Sequence, residues 1–174
     1  GKTVLGAKIE VVSADHQNNA ETGANRAREW FDRQQVDMIT DVLNSAVGIA
    51  TGKVAAEKKK LIMNVGAAST RLTNEDCNAN LIHYAYDTYA LANGTGKALV
   101  KQGGDTCFFL TADYAVGHSL ESDTSNVVTA NGGKIVCRVQ HQLTQAAFPA
   151  FIMPSPLPQP KHARLSYSGS PRRH

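Results

Sequence analysis

LIMNVGAAST, residues 61–70, is the stretch on which the reading of the fold turns. Leu61 to Met63 follow the lysine run 58–60 and look like a buried strand. After Asn64 and Val65 the side chains almost vanish, at Gly66, Ala67 and Ala68, before hydroxyls appear at Ser69 and Thr70. Glycine and alanine let a ligand come close to the backbone, and a serine beside them adds a hydroxyl donor or acceptor. A tight packing turn, where a larger residue would clash, explains the same letters equally well. Spacing alone does not separate the two.

Working outward, strand-like and helix-like segments alternate. AKIEVVSAD (7–15) reads as a strand with Ile9, Val11 and Val12 as its apolar core. Residues 20–35 place Ala20, Ala24, Ala27, Trp30 and Phe31 at helical spacing. VDMITDVL (36–43) reads as a strand, 45–60 as an alanine-rich helix and 61–65 as the next strand. A polar irregular stretch runs from 66 to about 80 and LIHYAYD follows it. A helix over 88–102, a strand over 106–113, a helix over 117–132 and a strand over 134–141 complete the set. Such alternation predicts a parallel sheet covered by helices on both faces. The irregular stretch divides it into two lobes: a partial N-terminal lobe (1–82) and a partial C-terminal lobe (83–148).

Composition bounds the remainder. A hydrophobic share of 42% with 19% charged residues is that of a globular chain. The net charge of +3 is misleading, because residues 1–123 hold 12 Lys+Arg against all 15 Asp+Glu. No basic stripe interleaved with aromatics exists, so nucleic-acid binding is excluded as a reading. All six prolines fall between Pro149 and Pro171. Proline lacks the amide donor and restricts its predecessor, so 149–174 is expected to be a disordered Pro-rich, basic tail without strands or helices. PSPLPQP within it also fits an SH3-type ligand. The abrupt change suggests a truncated or frame-shifted end. GKTVLGAKIE carries no leader pattern, and no apolar run reaches the ~20 residues of a membrane helix, so no membrane insertion is expected. Cys77, Cys107 and Cys137 form no CxxC. Cys107 and Cys137 read as small core residues.

Chemistry is expected at the carboxyl ends of the strands, where loops and helix starts meet. Three such ends stand out: 41–47, 64–70 and 111–119. Ser45 is placed to cap the next helix, whose free amides would welcome a carboxylate. Capping alone accounts for it equally well. ATGKV (50–54) and GTGKA (94–98) lack GxxxxGK[ST] and lie inside helices. Asp113, His118 and Ser119 are neighbours, but no GxSxG elbow accompanies them, and His118 reads as a first-turn helix residue. The six histidines show no metal spacing. No catalytic, metal or cofactor site is therefore expected. The aromatics of HYAYDTYA (83–90) could line a cleft or simply pack.

The stretches KIEVVSADHQNN, DMITDVLNSAV, NVGAASTRLT, YDTYALANGTGKALVKQGGDTCFFLTADYAVGHSLE and NGGKIV together resemble the substrate-binding proteins of branched-chain amino-acid-type ABC transporters. These are type I periplasmic binding proteins of the leucine-binding class. The resemblance implies an α/β fold with parallel Rossmann-like sheets in two lobes, the first lobe lacking its first strand and the second incomplete. It implies a periplasmic solute receptor, its leader absent from this chain, that delivers a small carboxylate-bearing ligand to a membrane permease without catalysis. Branched-chain or aliphatic amino acids and aromatic acids are the implied ligands, and the fragment is expected to bind weakly or not at all. The implied contacts are Asn44, Ser45, Gly66, Ala67, Ala68, Ser69, Tyr86, Thr88 and Tyr114. The family's second-lobe aromatic is replaced by Val116, with Tyr114 nearby. An intracellular ligand-sensing regulator on the same fold is the alternative, and an enzyme on a flavodoxin-like sheet lacks its phosphate loop.

Overall fold

The computed structural model describes residues 3–143 and, as backbone, 164–166. Its first regular feature is a hairpin of β1 (Thr3–Val4) and β2 (Ala7–Lys8), turned at Leu5 and Gly6, both with positive φ. The strand expected over 7–15 stops at Lys8. Ile9, Val11 and Val12 are exposed rather than core. β-branched apolar residues supply the propensity, but a strand needs a neighbouring ladder, and among the described residues none runs beside 9–15.

The first lobe is built on α1 (Ala20–Asp32), β3 (Met38–Thr40), α2 (Ser45–Lys58), β4 (Leu61–Asn64) and β5 (Leu81–His83). The α1 helix starts where Asn19 Oδ1 accepts the Thr22 amide at 2.9 Å, with Glu21 in the first turn to suit the dipole. It buries Ala24, Ala27 and Phe31 against α2. That helix is small-sided nearly all round and ends at Lys59 in the left-handed region, φ 53°. The three strands run parallel in chain order, with Ile39, Ile62 and Leu81 in register on the helix-covered face.

Met38, Leu61 and Ile82 point the other way and are partly exposed. The helices expected on both faces are seen on one face only among the described residues. Both α1 and α2 pack on one face, and no described element covers the other.

The second lobe begins with α3 (Thr88–Lys101), capped by Asp87, whose Oδ1 accepts the Ala90 amide at 2.7 Å. It continues through β6 (Thr106–Ala112), α4 (Ala115–Ala130) and β7 (Lys134–His141). The two helices pack on each other over Cys107, Phe109 and Val128. Burial pushes the Cys107 thiol up, with the Asp105 charge adding to it, so it stays protonated as a core group. Cys137, expected beside it in the core, is instead half-buried on β7.

A parallel strand, β8 (Arg164–Ser166), pairs with Phe108–Leu110 of β6, so β6 is central in the order β7-β6-β8. This corrects the reading of 149–174 as unable to form strands. ARLSYSGS lies between Pro160 and Pro171 and contains no proline, and the open edge of β6 offers the ladder. The rest of the expected tail lies outside the described residues.

Candidate functional site

The ends of β3 and β4 lie side by side, and the turns that leave them define the site. After β3, Asn44 rather than Ser45 is the N-cap of α2. Asn44 Oδ1 accepts the Ala46 amide at 2.9 Å and the Val47 amide at 3.2 Å. Ser45 is therefore the first helical residue, and its side chain is released for a long-range contact. Its Oγ accepts the Ser69 amide at 3.1 Å. Local capping signals could not distinguish these neighbours, since Asn and Ser are about equally good caps.

After β4, Asn64 folds back so that its Oδ1 accepts the Ala67 amide at 3.1 Å, while its Nδ2 is buried without a partner. The Ala67 amide also reaches Val42 O, and Ala67 O takes His83 Nε2 at 2.7 Å. At Gly66 the bare backbone accommodates the protein itself. A Cβ there would sit 2.3 Å from Leu43 Cδ2. Ala67 and Ala68 are buried, and Ser69 caps the short 3₁₀ turn Thr70–Leu72 by accepting the Arg71 amide at 3.3 Å.

The crossover to the second lobe joins this cluster at Thr88. Its amide donates to Ala68 O at 2.8 Å, and its Oγ1 accepts the Thr70 amide at 3.3 Å. Two α4 residues complete the group: Asp123, which sequence reasoning passed over, and Ser119, which it weighed only beside Asp113 and His118 as a hydrolase triad. Ser119 Oγ lies 2.6 Å from Ser69 Oγ, and Asp123 Oδ2 accepts Thr88 Oγ1 at 2.7 Å and Thr70 Oγ1 at 3.2 Å. A signal for them was present, because positions 119, 123 and 127 fall at i, i+4 and i+8 on one stripe of a helix.

The structure thus brings together Asn44, Ser45, Ala67, Ala68, Ser69 and Thr88. Ser45, Ser69 and Thr88 are each 0% exposed. Tyr86 is 64% exposed and lies outside the cluster. Tyr114 precedes α4 as a half-buried residue, and Val116 is buried. Two cavities among the described residues, of about 210 Å³ beside Leu91, Phe109 and Leu120, and about 70 Å³ beside His16, Trp30 and Val47, are not lined by Ser45 or Ser69.

No hydrolytic arrangement forms among the described residues. Asp113 pairs with His118 at 2.8 Å on the surface, while Ser119 faces Ser69. Among the described residues no three or more His, Cys, Asp or Glu gather as a metal site, and no helix is long and apolar enough to cross a membrane.

The turn carrying Ser69 is tied to α2 by ions. Asp76 meets Arg71 at 2.6–2.8 Å and Lys53 at 3.2 Å. Burial raises the Asp76 carboxyl, but the hydrogen bonds and charges of Lys53 and Arg71 outweigh it and hold the group below the ordinary carboxylate range. A depressed folded value means that the stabilisation is present above the unfolded value, about 3.9, and is lost as pH falls through the lower folded one. Asp76→Asn is expected to lower stability at neutral pH by about 1 kcal/mol. Its difference from the parent should shrink towards pH 2, as read by urea melts across pH 2–7.

Comparison with known proteins now bears on this geometry. The family profile described as periplasmic binding protein matches residues 1–153. A crystal structure of a periplasmic binding protein from Burkholderia mallei is 54% identical, with a TM-score of 0.85, over 87% of this chain and 40% of that one. A branched chain amino acid ABC transporter periplasmic ligand-binding protein from Burkholderia xenovorans LB400 is 31% identical, with a TM-score of 0.69 and the same coverage. A solute binding protein of an ABC transporter from R. palustris, solved with benzoate, shares the fold at 20% identity and a TM-score of 0.80, over 87% of this chain and 42% of that one. No curated protein matches. The chain spans about two fifths of each of these structures, and over that span it belongs to the periplasmic binding protein family, with the type I fold of two α/β lobes on parallel sheets.

Proposed function

We propose that this chain is the ligand-gripping part of a periplasmic solute receptor of an ABC importer. It would hold a small carboxylate-bearing molecule between the lobes and hand it to a membrane permease, without catalysing a reaction. The observation that carries the reading is the convergence of Ser45 and Ser69 from two adjacent strand ends, 3.1 Å apart, with Thr88 of the crossover closing the third side. Hydroxyls and amides at strand ends suit an anion whose charge the protein need not neutralise with a cation. Similar proteins support both ligand classes. One R. palustris structure holds benzoate, and one from Desulfitobacterium hafniense holds Leu. Asn44, Gly66, Ala67, Ala68 and Tyr114 would shape the pocket, and Tyr86 would join it only on rearrangement of the crossover.

The test is a titration of the chain with L-leucine and with benzoate, followed through the backbone amide signals of residues 45 and 69. Binding in the millimolar range corresponds to about −4 kcal/mol and is detectable in this way. A hydrogen bond to a charged group contributes about 1.5–3 kcal/mol, so Ser45→Ala is expected to weaken binding by roughly ten- to a hundredfold. If neither ligand moves these signals, or if Ser45→Ala and Ser69→Ala bind as well as the parent, the site is misassigned.

A further inference from the structure

We propose that β8 is an edge guard: by pairing with Phe108–Leu110 it keeps β6 from docking on the same edge of a second copy of this chain. The inference draws on the second-lobe sheet alone and does not depend on the receptor reading.

An unpaired strand edge offers a row of amides and carbonyls to any other chain, and short strands or charged side chains are the usual protection. The hairpin strands β1 and β2 have two residues each, and β3 and β5 have three. On the other side of the second-lobe sheet the edge strand is β7, which carries Lys134 and Arg138 along its length. β6 has neither protection. Its seven residues, TCFFLTA, include no charge, no proline and no glycine, a composition that pairs readily with a copy of itself. One side of β6 is held by β7 from Thr106 to Ala112. The other side is where β8 lies, with Phe108 opposite Arg164, Phe109 opposite Leu165 and Leu110 opposite Ser166. The long uncharged edge among the described residues is thus the one that the chain covers with its own segment. β8 itself has three residues, too short an edge to recruit another strand. It also lies beyond residue 153, where the match to the family profile ends, so the guard is supplied from outside the matched part of the chain. Two copies that met at a bared β6 edge would run antiparallel about a two-fold axis, a contact that closes at the dimer.

The experiment uses the full chain and two single variants, Leu165→Pro and Ser166→Pro. Amides alternate along a strand, so one of the two faces β6 and the other faces solvent, where an edge strand accepts proline. In dilute solution the variant that loses the ladder is expected to show about five- to tenfold faster amide exchange within residues 108–110, the scale of one net backbone hydrogen bond. Amides of α1 and β4 serve as the fold control. Light scattering over a concentration series should find that variant dimeric, with the parent and the other variant monomeric. A synthetic peptide of residues 163–174 at ~1 mM, the effective concentration that a flexible tether provides, should return it to the monomer and restore protection. Unchanged exchange in both variants overturns the inference. Faster exchange with a monomeric mass at every concentration also overturns it, since the bared edge would then take no second copy. A dimeric parent, or assembly beyond the dimer in the variant, rules out the guard and its assigned partner.

Discussion

Leu72→Ala is expected to lower the folding stability of the first lobe by about 2–5 kcal/mol, the usual range for emptying a fully enclosed leucine site. Leu72 is 0% exposed and belongs to the cluster formed with Phe31, Val54 and Ile62. Its position makes the effect more than a core defect. Residues 66–80 contain only one short 3₁₀ turn, and Leu72 is the last residue of that turn and its one buried side chain. The segment carrying Ser69 is thus held by an apolar anchor below and by the Asp76 ion pairs above. Losing the anchor should speed amide exchange across 67–73 before the global unfolding limit is reached. Leu43→Ala gives the contrast: Leu43 is 65% exposed, and its removal should change stability by no more than about 0.5 kcal/mol. Equal losses in the two variants, measured by urea denaturation, would contradict the assigned role of Leu72.

Periodicity located the helices α1 to α4 and the strands β4, β6 and β7 to within a few residues, because each has its own local signal. It failed at 7–15, where the β-branched Ile9, Val11 and Val12 have strand propensity and are left without a ladder. It failed again at 164–166, where a short proline-free segment gains structure only because β6 presents an open edge. In both cases the deciding factor was a partner distant in sequence, which no window of neighbouring residues can show. The site divides in the same way. Small residues and hydroxyls at the ends of β3 and β4 were legible as a pair. The exchange of roles between Asn44 and Ser45 was not, since either can cap. Ser119 drew notice only as a neighbour of Asp113 and His118, and Asp123 only as a polar letter in a helix; their meaning depends on how α4 lies across Ser69 and Thr88. Gly66 shows the limit most plainly. The letter announced a close approach, and the approaching group is Leu43 of the same chain.

Gly117→Ala is the second substitution expected to have a large effect, and it acts through backbone. A Cβ built on Gly117 would lie 2.0 Å from Ala112 O and 3.0 Å from Ala112 C. Neither atom can rotate aside as a side chain could, and Ala112 O is already held by the Tyr114 amide at 2.9 Å. The first turn of α4 must therefore lift from the end of β6. Overpacking of this kind costs about 1–3 kcal/mol, which for a chain of this length is a fall of roughly 2–4 °C in Tm per kcal/mol. Ser119 lies two residues further along the same turn, so the displacement should also part it from Ser69 and raise exchange at amides 69 and 70. Gly94→Ala supplies a control of opposite sign. Gly94 lies in α3 with nothing within 4 Å of an added Cβ, and alanine there should stabilise the helix by about 0.5–1 kcal/mol. Thermal melts of the two variants should move in opposite directions. A Gly117→Ala protein that melts with the parent and keeps residues 69 and 70 protected would mean that α4 has slack at β6 and that Ser119 keeps its place beside Ser69 despite the added methyl group.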